Sequence, residues 1–148
     1  VLSEGADRLG PLGHGWTYSA HPICAAAVGA NLKLIDEMEL LENAKAVGPY
    51  LRDGLMSTLS DHAHVAEIRG EGLLVAVELM QDRETSKPFD PDRKVAAGVV
   101  AKMLTQGVIA RAMPEADIIG LAPPLCLTLQ EADRVIDAVS KSCAAAFV

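Results

Sequence analysis

Two places in this chain have the residue types and spacing for anion chemistry. The first is Gly13-His14-Gly15-Trp16-Thr17-Tyr18-Ser19-Ala20-His21-Pro22, after which an alanine-rich stretch begins. A loop rich in backbone donors and hydroxyls, running into a helix N-terminus, suits a phosphate. Thr17 offers a hydroxyl and its own N–H, each worth about 1.5–3 kcal/mol toward a charged acceptor. On spacing alone, Thr17 and Ser19 are better explained as caps of the next helix. The second place is Gly107-Val108-Ile109-Ala110-Arg111, followed by Ala122-Pro123-Pro124-Leu125. An arginine that closes an apolar strand presents a planar fork, which fits a carboxylate through two parallel hydrogen bonds. A surface pairing of Arg111 with Glu115 or Asp117 explains it without chemistry.

Other reactive types read as structural. His14 and His21 have no partner visible in the sequence, and Arg69, Glu71 and Glu78 belong to a strand reversal. Cys24, Cys126 and Cys143 lie far apart in apolar surroundings and read as buried core thiols of a reducing compartment. No Cys-x-x-Cys or His-x-x-x-His spacing occurs, so no metal site is expected.

Several elements must position these residues. Residues 1–21 read as an arm or loop. Pro22 is a favourable first helical residue, with Ser19 or His21 near the cap of a helix that reaches about Met38. Its small residues Ala25, Ala26, Ala27, Gly29 and Ala30 point either to a helix sandwiched against a second domain or subunit or, equally, to good helix propensity alone. A second helix runs from about Glu39 or Leu41 to Ser60. Its apolar face is Leu41, Ala44, Val47, Leu51, Leu55 and Leu59, and Gly48-Pro49 predicts a kink or break. Val65–Met80 reads as two strands meeting at Gly70-Glu71-Gly72, and 81–91 as a loop. Asp92–Gln106 reads as a helix stopped by Gly107. Short strands are predicted over 108–111 and 118–122. A last helix over 129–147 is opened by a Thr128/Glu131 capping box. This order predicts an α+β fold, a small, mostly antiparallel sheet covered by helices on one face.

Composition narrows the class. The chain has 148 residues, half of them hydrophobic, enough for one domain with a real core. A net charge of -7 and only five aromatic residues argue against nucleic-acid binding. The longest uninterrupted apolar run, residues 23–30, is far short of the roughly 18 residues of a membrane span. The expectation is a protein of the cytoplasm, with neither nucleic acid nor membrane as partner. The irregular, glycine-punctuated start at Val1 suggests part of a longer chain.

Three segments, in order, resemble class III pyridoxal-phosphate aminotransferases, in the omega-aminotransferase branch. His14-Gly15-Trp16-Thr17-Tyr18-Ser19-Ala20-His21-Pro22 is similar to the family's His-Gly-aromatic-Thr-x-Ser-Gly/Ala-His-Pro segment, with Ala20 where glycine is usual. Arg69-Gly70-Glu71-Gly72-Leu73 is similar to its Arg-Gly-x-Gly-hydrophobic hairpin. Gly107 to Arg111, with the later Pro123-Pro124, is similar to its Gly-x-Ile-x-Arg strand and Pro-Pro segment. The turn 113–117 differs in length from that of many relatives.

The resemblance spans residue 13 to the end and implies the small C-terminal domain of the fold-type I transferase fold. On it, residues 1–21 are an arm from the large domain, and 22–148 are the small domain opened by a linking helix. It implies that Thr17, with Trp16 beside it, reaches the pyridoxal phosphate of a homodimer partner. It implies that Arg111 binds the carboxylate of an amino-acid or keto-acid substrate. It implies a parent that moves an amino group between an amine or omega-amino acid and a keto acid such as pyruvate. The lysine that holds the cofactor, and the aspartate facing its ring nitrogen, belong to the missing large domain. Lys33, Lys45, Lys87, Lys94, Lys102 and Lys141 match no such segment and read as solvent-facing. On this reading the chain alone is inactive. The alternative is a free-standing, noncatalytic α+β interaction domain of aminotransferase-like shape.

Overall fold

The computed structural model describes residues 4, 7, 8, 10 and 15–147. Gly13, His14 and eight other residues of the expected arm lie outside the described residues. The chain divides into two compact units, Val1–Glu37 and Met38–Val148.

In the first unit, helix α1 spans Pro22–Glu37. Pro22 occupies its first position, where a missing N–H costs nothing and the ring presets φ. None of its residues is buried, and Ile23, Val28, Leu32 and Leu34 are each more than half exposed. Cys24 is also exposed. The expectation of a core thiol there is wrong, because the apolar run that suggested it is not covered by this chain.

In the second unit, α2 (Leu40–Leu59), β1 (Val65–Glu71), β2 (Leu74–Leu79), α3 (Val95–Thr105), β3 (Arg111–Ala112), β4 (Ile118–Leu121) and α4 (Leu129–Ala146) follow in order, with a single 3-10 turn at Pro91–Arg93 before α3. The strands form an antiparallel sheet in the order β1-β2-β4-β3. The fold is α+β, as the order of elements predicts. Buried residues of α2, α3 and α4 (Leu51, Leu55, Val99, Met103, Ala132 and Val139 among them) share one core with Val75, Val77, Leu79, Ile119 and Leu121 of the sheet.

Local signals explain most of the boundaries. Thr128 accepts from the Glu131 N–H at 3.2 Å, and the Glu131 carboxylate accepts from the Thr128 N–H at 2.9 Å, completing the expected capping box. Gly107, at φ 80°, ends α3 in a Schellman turn: the Gly107 N–H donates to Leu104 and the Val108 N–H to Met103. That turn aims the chain into the segment that ends at Arg111. Gly72, at φ 55°, supplies the left-handed residue of the β1–β2 hairpin.

Four expectations need correction. Gly48-Pro49 does not break α2, which is continuous across it. Pro49 removes one helix hydrogen bond, but the burial of Val47, Gly48 and Leu51 holds the turn in place. A Cβ on Gly48 would strike the Gly72 carbonyl, so this glycine serves helix–hairpin contact. Leu41 is exposed, because it sits on the first turn, ahead of the covered part of α2. The strand predicted over 108–111 is paired only at Arg111 and Ala112. Cys126 is exposed in the turn after Pro124, where an apolar neighbourhood in sequence is a loop in space. Cys143 alone keeps the core role, and burial pushes its thiol up to about 11.

A ring cluster closes one end of this unit. His62, His64, Phe89 and Phe147 lie with neighbouring centroids 4.2–5.7 Å apart. The His62 Nδ1 accepts from the His64 N–H at 3.2 Å, so this nitrogen carries no proton. Burial, then the charge of His64, lowers the His62 pKa. The unfolded chain therefore binds a proton at His62 more readily than the folded one. The stabilising contribution is complete above the ordinary histidine pKa and declines as pH falls below it toward the lowered folded value. Urea unfolding midpoints should fall between about pH 7 and pH 5, and His62→Gln should flatten that slope. A slope unchanged in the variant would remove His62 as its source.

Candidate functional site

The first candidate segment is a turn leading into a helix. Residues 17–20 form a hydrogen-bonded turn, in which the Ser19 N–H donates to the Trp16 carbonyl at 2.9 Å and the His21 N–H to the Tyr18 carbonyl at 3.1 Å. The Ser19 hydroxyl accepts from the Trp16 N–H at 3.3 Å, so it closes the turn and does not cap α1. The His21 carbonyl accepts from the Ala25 N–H and so begins the helix. Tyr18 and His21 meet edge to face at 6.3 Å, which fits the structural role read for His21. Thr17 is exposed, and neither its hydroxyl nor its N–H has a partner among the described residues. Trp16 is 68% exposed beside it. Ala20, where glycine is usual in the resembling segment, sits at φ 61°. A side chain there costs roughly 1–2 kcal/mol of backbone strain, which accounts for a glycine preference at this point of the turn.

The second segment is built by strand alternation. Val108, Ala110 and Ala112 pack against the core, while Ile109, Arg111 and Met113 are exposed. The period of two thus extends on both sides of the two paired residues. Arg111 pairs with Gly120, Gly120 with Ala76, and Ala76 with Arg69. Because Ile119 and Val77 are fully buried, this row lies on the face of the sheet opposite α2, α3 and α4. Glu67 and Glu78 stand on the same face, one step along the strands.

Arg111 is exposed and forms no ion pair among the described residues. The bland pairing with Glu115 or Asp117 is absent. The Asp117 carboxylate is committed elsewhere: it accepts from the Ala96 N–H at 2.8 Å and so caps α3 from 21 residues away in sequence. Arg69, by contrast, donates to both Glu67, at 2.6 Å, and Glu78. These hydrogen bonds raise its pKa, the one to Glu78 most of all. The structural role read for Arg69 fits this network.

Sequence reasoning missed three positioning residues. Asp117 holds the start of α3. Asn43 donates to the Leu125 and Leu127 carbonyls, at 2.7 and 3.0 Å, and pins the segment after Pro123-Pro124 onto α2. Gly120 leaves room for the Met113 side chain, whose Sδ lies 3.4 Å from where a Cβ would stand. Asp117 and Asn43 act over a long sequence separation, and no local motif marks any of the three.

A separate groove of about 560 Å³ lies among Met80, Phe89, Lys94, Ala97, Met113 and Asp117. Its walls are mostly apolar, and Arg111 does not line it. All six lysines are exposed, and Lys33, Lys45 and Lys141 pair with Glu37, Glu42 and Asp137. Among the described residues no cluster of histidine, cysteine or carboxylate groups is suited to a metal ion. No helix among them is long and apolar enough to cross a membrane.

Arg111 is thus exposed without an ion pair on the second unit's sheet, and the Thr17 donors are without partners among the described residues in the first unit's turn. Comparison with known proteins gives the class: the family model for class-III aminotransferases matches residues 3–143, and the chain belongs to that family. It is 45% identical over 142 residues to an uncharacterised aminotransferase of Sinorhizobium fredii, covering 96% of this chain and 30% of the relative. It is 42% identical over 136 residues to a diaminobutyrate–2-oxoglutarate transaminase of Halomonas elongata, covering 92% and 29%. Among solved structures, it is similar to a transaminase from directed evolution by ancestral reconstruction, with a TM-score of 0.87 and 46% identity over 98% of this chain and 32% of that one. It is similar too to a thermostable (S)-enantioselective omega-transaminase from Thermomicrobium roseum, with a TM-score of 0.84 and 34% identity over 99% and 32%. The chain therefore spans about a third of the length of these relatives.

The commitment of Asp117 has a direct check. Asp117→Ala should lower stability by about 1 kcal/mol through the lost cap, whereas Glu115→Ala should stay within about 0.5 kcal/mol. Equal effects in urea denaturation would refute the assignment.

Proposed function

We propose that this chain works as the carboxylate-recognising and phosphate-contacting part of a pyridoxal-phosphate-dependent aminotransferase of the cytoplasm. The observation that carries the reading is Arg111, exposed and without an ion pair on the face of the sheet opposite α2, α3 and α4 in a chain of the class III family. When bound, pyridoxal phosphate supplies the electron sink that lets an amino group leave one carbon skeleton and join another. The donor set of the 15–21 turn fits its phosphate, since the Thr17 hydroxyl and N–H are both unspent. Thr17 donates to that phosphate across a homodimer interface, with Trp16 alongside. Arg111 holds the substrate carboxylate by two parallel hydrogen bonds and so orients the amino group. The amino group moves between an amine or omega-amino acid and a keto acid such as pyruvate.

Residues 1–21 then belong with the large domain as its arm, and 22–148 form the small domain. No lysine of this chain is placed to hold the cofactor, since all six are on the surface. That lysine lies in the part of the relatives' length that this chain does not span, and the chain alone is inactive.

The test uses the intact enzyme. Arg111→Ala should lower kcat/KM for 4-aminobutanoate by about 30-fold or more, the cost of a charge-assisted pair, and leave butylamine within threefold. Equal losses on both donors would overturn the role of Arg111. Thr17→Val should weaken cofactor retention about tenfold in a dialysis assay. Full retention, or a monomeric enzyme, would overturn the contact across subunits.

A further inference from the structure

The turn at residues 60–64, between α2 and β1, ties three parts of the second unit together. The His64 Nδ1 lies 3.1 Å from both the Met80 and the Gln81 carbonyls, which only accept, so this nitrogen carries a proton. The Met80 N–H donates back to the His64 carbonyl at 2.9 Å, and Arg83 donates to the Ser60 and His62 carbonyls at 2.7 and 3.4 Å. These bonds join the turn to the 81–91 loop. On the other side Phe147, the residue after α4, stands 5.3 Å from the His62 ring and 4.2 Å from the His64 ring. Phe89 of the loop stacks on Phe147 at 5.7 Å and also lines the apolar groove. The charges around these rings have one sign. Arg83 faces the turn from the loop, and Arg93 lies over the Phe89 ring at 4.9 Å. From α4, the Cys143 carbonyl meets the His62 ring, while burial keeps the Cys143 thiol neutral. Asp82 and Asp90 of the loop accept from amides of their own segment, at Glu84 and Asp92. Asp61, in the turn itself, is exposed, and among the described residues no carboxylate pairs with either histidine.

His62 is the weak point of this cluster. Its Nδ1 accepts from the His64 N–H at 3.2 Å. A proton on that nitrogen sets two donors against each other and adds a cation beside Arg83 and His64 with no anion to offset it. We propose that His62 is a proton-operated latch: its protonation releases the last turn of α4, with Phe147, and the 81–91 loop from the 60–64 turn while the rest of the unit stays folded. The opened turn hydrates the His62 ring and frees its Nδ1, so it takes up a proton more readily than the closed one, and opening grows as pH falls below the ordinary histidine value. The remaining core, Leu51, Leu55, Val77, Val99, Ile119 and Val139, holds no group that titrates in this range. Phe89 leaves with the loop, so one wall of the groove of about 560 Å³ is present only while the latch is closed. None of this depends on the roles proposed for Arg111 and Thr17.

The experiment is amide hydrogen exchange of the intact enzyme at about pH 7.5 and about pH 5.5, either side of the ordinary histidine value, each rate divided by its intrinsic one. Wild type is compared with His62→Asn, whose Oδ1 stands where Nδ1 stood and takes no proton. In wild type, peptides covering 144–147 and 81–89 should exchange about fivefold faster at the lower pH, the scale of one lost hydrogen bond. Peptides covering 50–58 of α2 and 95–103 of α3 should exchange alike at both. In His62→Asn the acceleration should vanish. No acceleration in wild type, an equal acceleration in His62→Asn, or a parallel rise in the α2 and α3 peptides would each overturn the latch. If His62→Asn is open at both pH values, the wild type decides through nitrogen-15 NMR of the histidine-labelled enzyme. The His62 ring should titrate at the pH where 144–147 and 81–89 open, and midpoints about one pH unit or more apart would overturn the proposal.

Discussion

The pairing of β2 with β4 is the constraint on which the rest of this unit depends. It joins the β1–β2 hairpin to the later β3–β4 pair, 118–121 onto 75–78. Side chains alternate along a strand, so once Val77 and Ile119 face the helices, Ala76 and Gly120 must face away. A slip of one residue would bury Glu78 and Arg111 and expose the core row. Burying two charges costs far more than any gain in strand pairing, so the register is fixed by what it keeps out of the core as well as by what it puts in. The site is thus a by-product of packing: Arg111 reaches the face opposite α2, α3 and α4 because Ala110 and Ala112 are needed on the other.

That register is held from several distances. Gly107 turns the chain out of α3 toward Arg111 with two backbone hydrogen bonds, and Asp117 returns from the end of the same excursion to cap the start of α3. The helix that supports β3 and β4 is therefore anchored at both ends by the segment it supports. Asn43 adds a tie from α2 to the loop after Pro123-Pro124, spending both amide hydrogens on carbonyls that would otherwise lack partners in a turn. Gly48 and Gly72 bring α2 against the hairpin so closely that a methyl group would collide with backbone. Backbone contact of this kind tolerates less adjustment than side-chain packing, because no rotamer can move away.

What was legible in the sequence was local or periodic. The capping box at Thr128, the stop at Gly107, the start at Pro22 and the hairpin glycines depend on neighbours within a few residues, and each lies where its chemistry requires. The family resemblance rests on the same short segments. The α+β class came from the alternation of element types. Burial was read less well where periodicity is the only guide. Leu41 belongs to an apolar face by spacing, yet its turn precedes the covered part of α2. Cys24 and Cys126 have apolar neighbours in sequence that are not neighbours of a core in space. Pro49 marks a lost hydrogen bond but not its consequence, which depends on what Val47 and Leu51 bury. The long-range partners, Asp117 to α3 and Asn43 to the 125–127 loop, have no sequence signature at all, because a polar side chain does not declare which distant amide or carbonyl it will meet.

The same distinction separates the two arginines. Arg69 and Arg111 occupy opposite ends of one row. Their difference is one of charge balance. Arg69 stands beside two glutamates, one on its own strand and one on the next, and a guanidinium so satisfied contributes rigidity. Arg111 stands beside Ile109, Met113 and Gly120, none of which can accept a hydrogen bond from it with a side chain. A cation kept on an apolar flank with no internal partner has most of its donor capacity available to an external anion. The sheet spends its acidic residues on one arginine and withholds them from the other, so two arginines of a single row differ in charge balance.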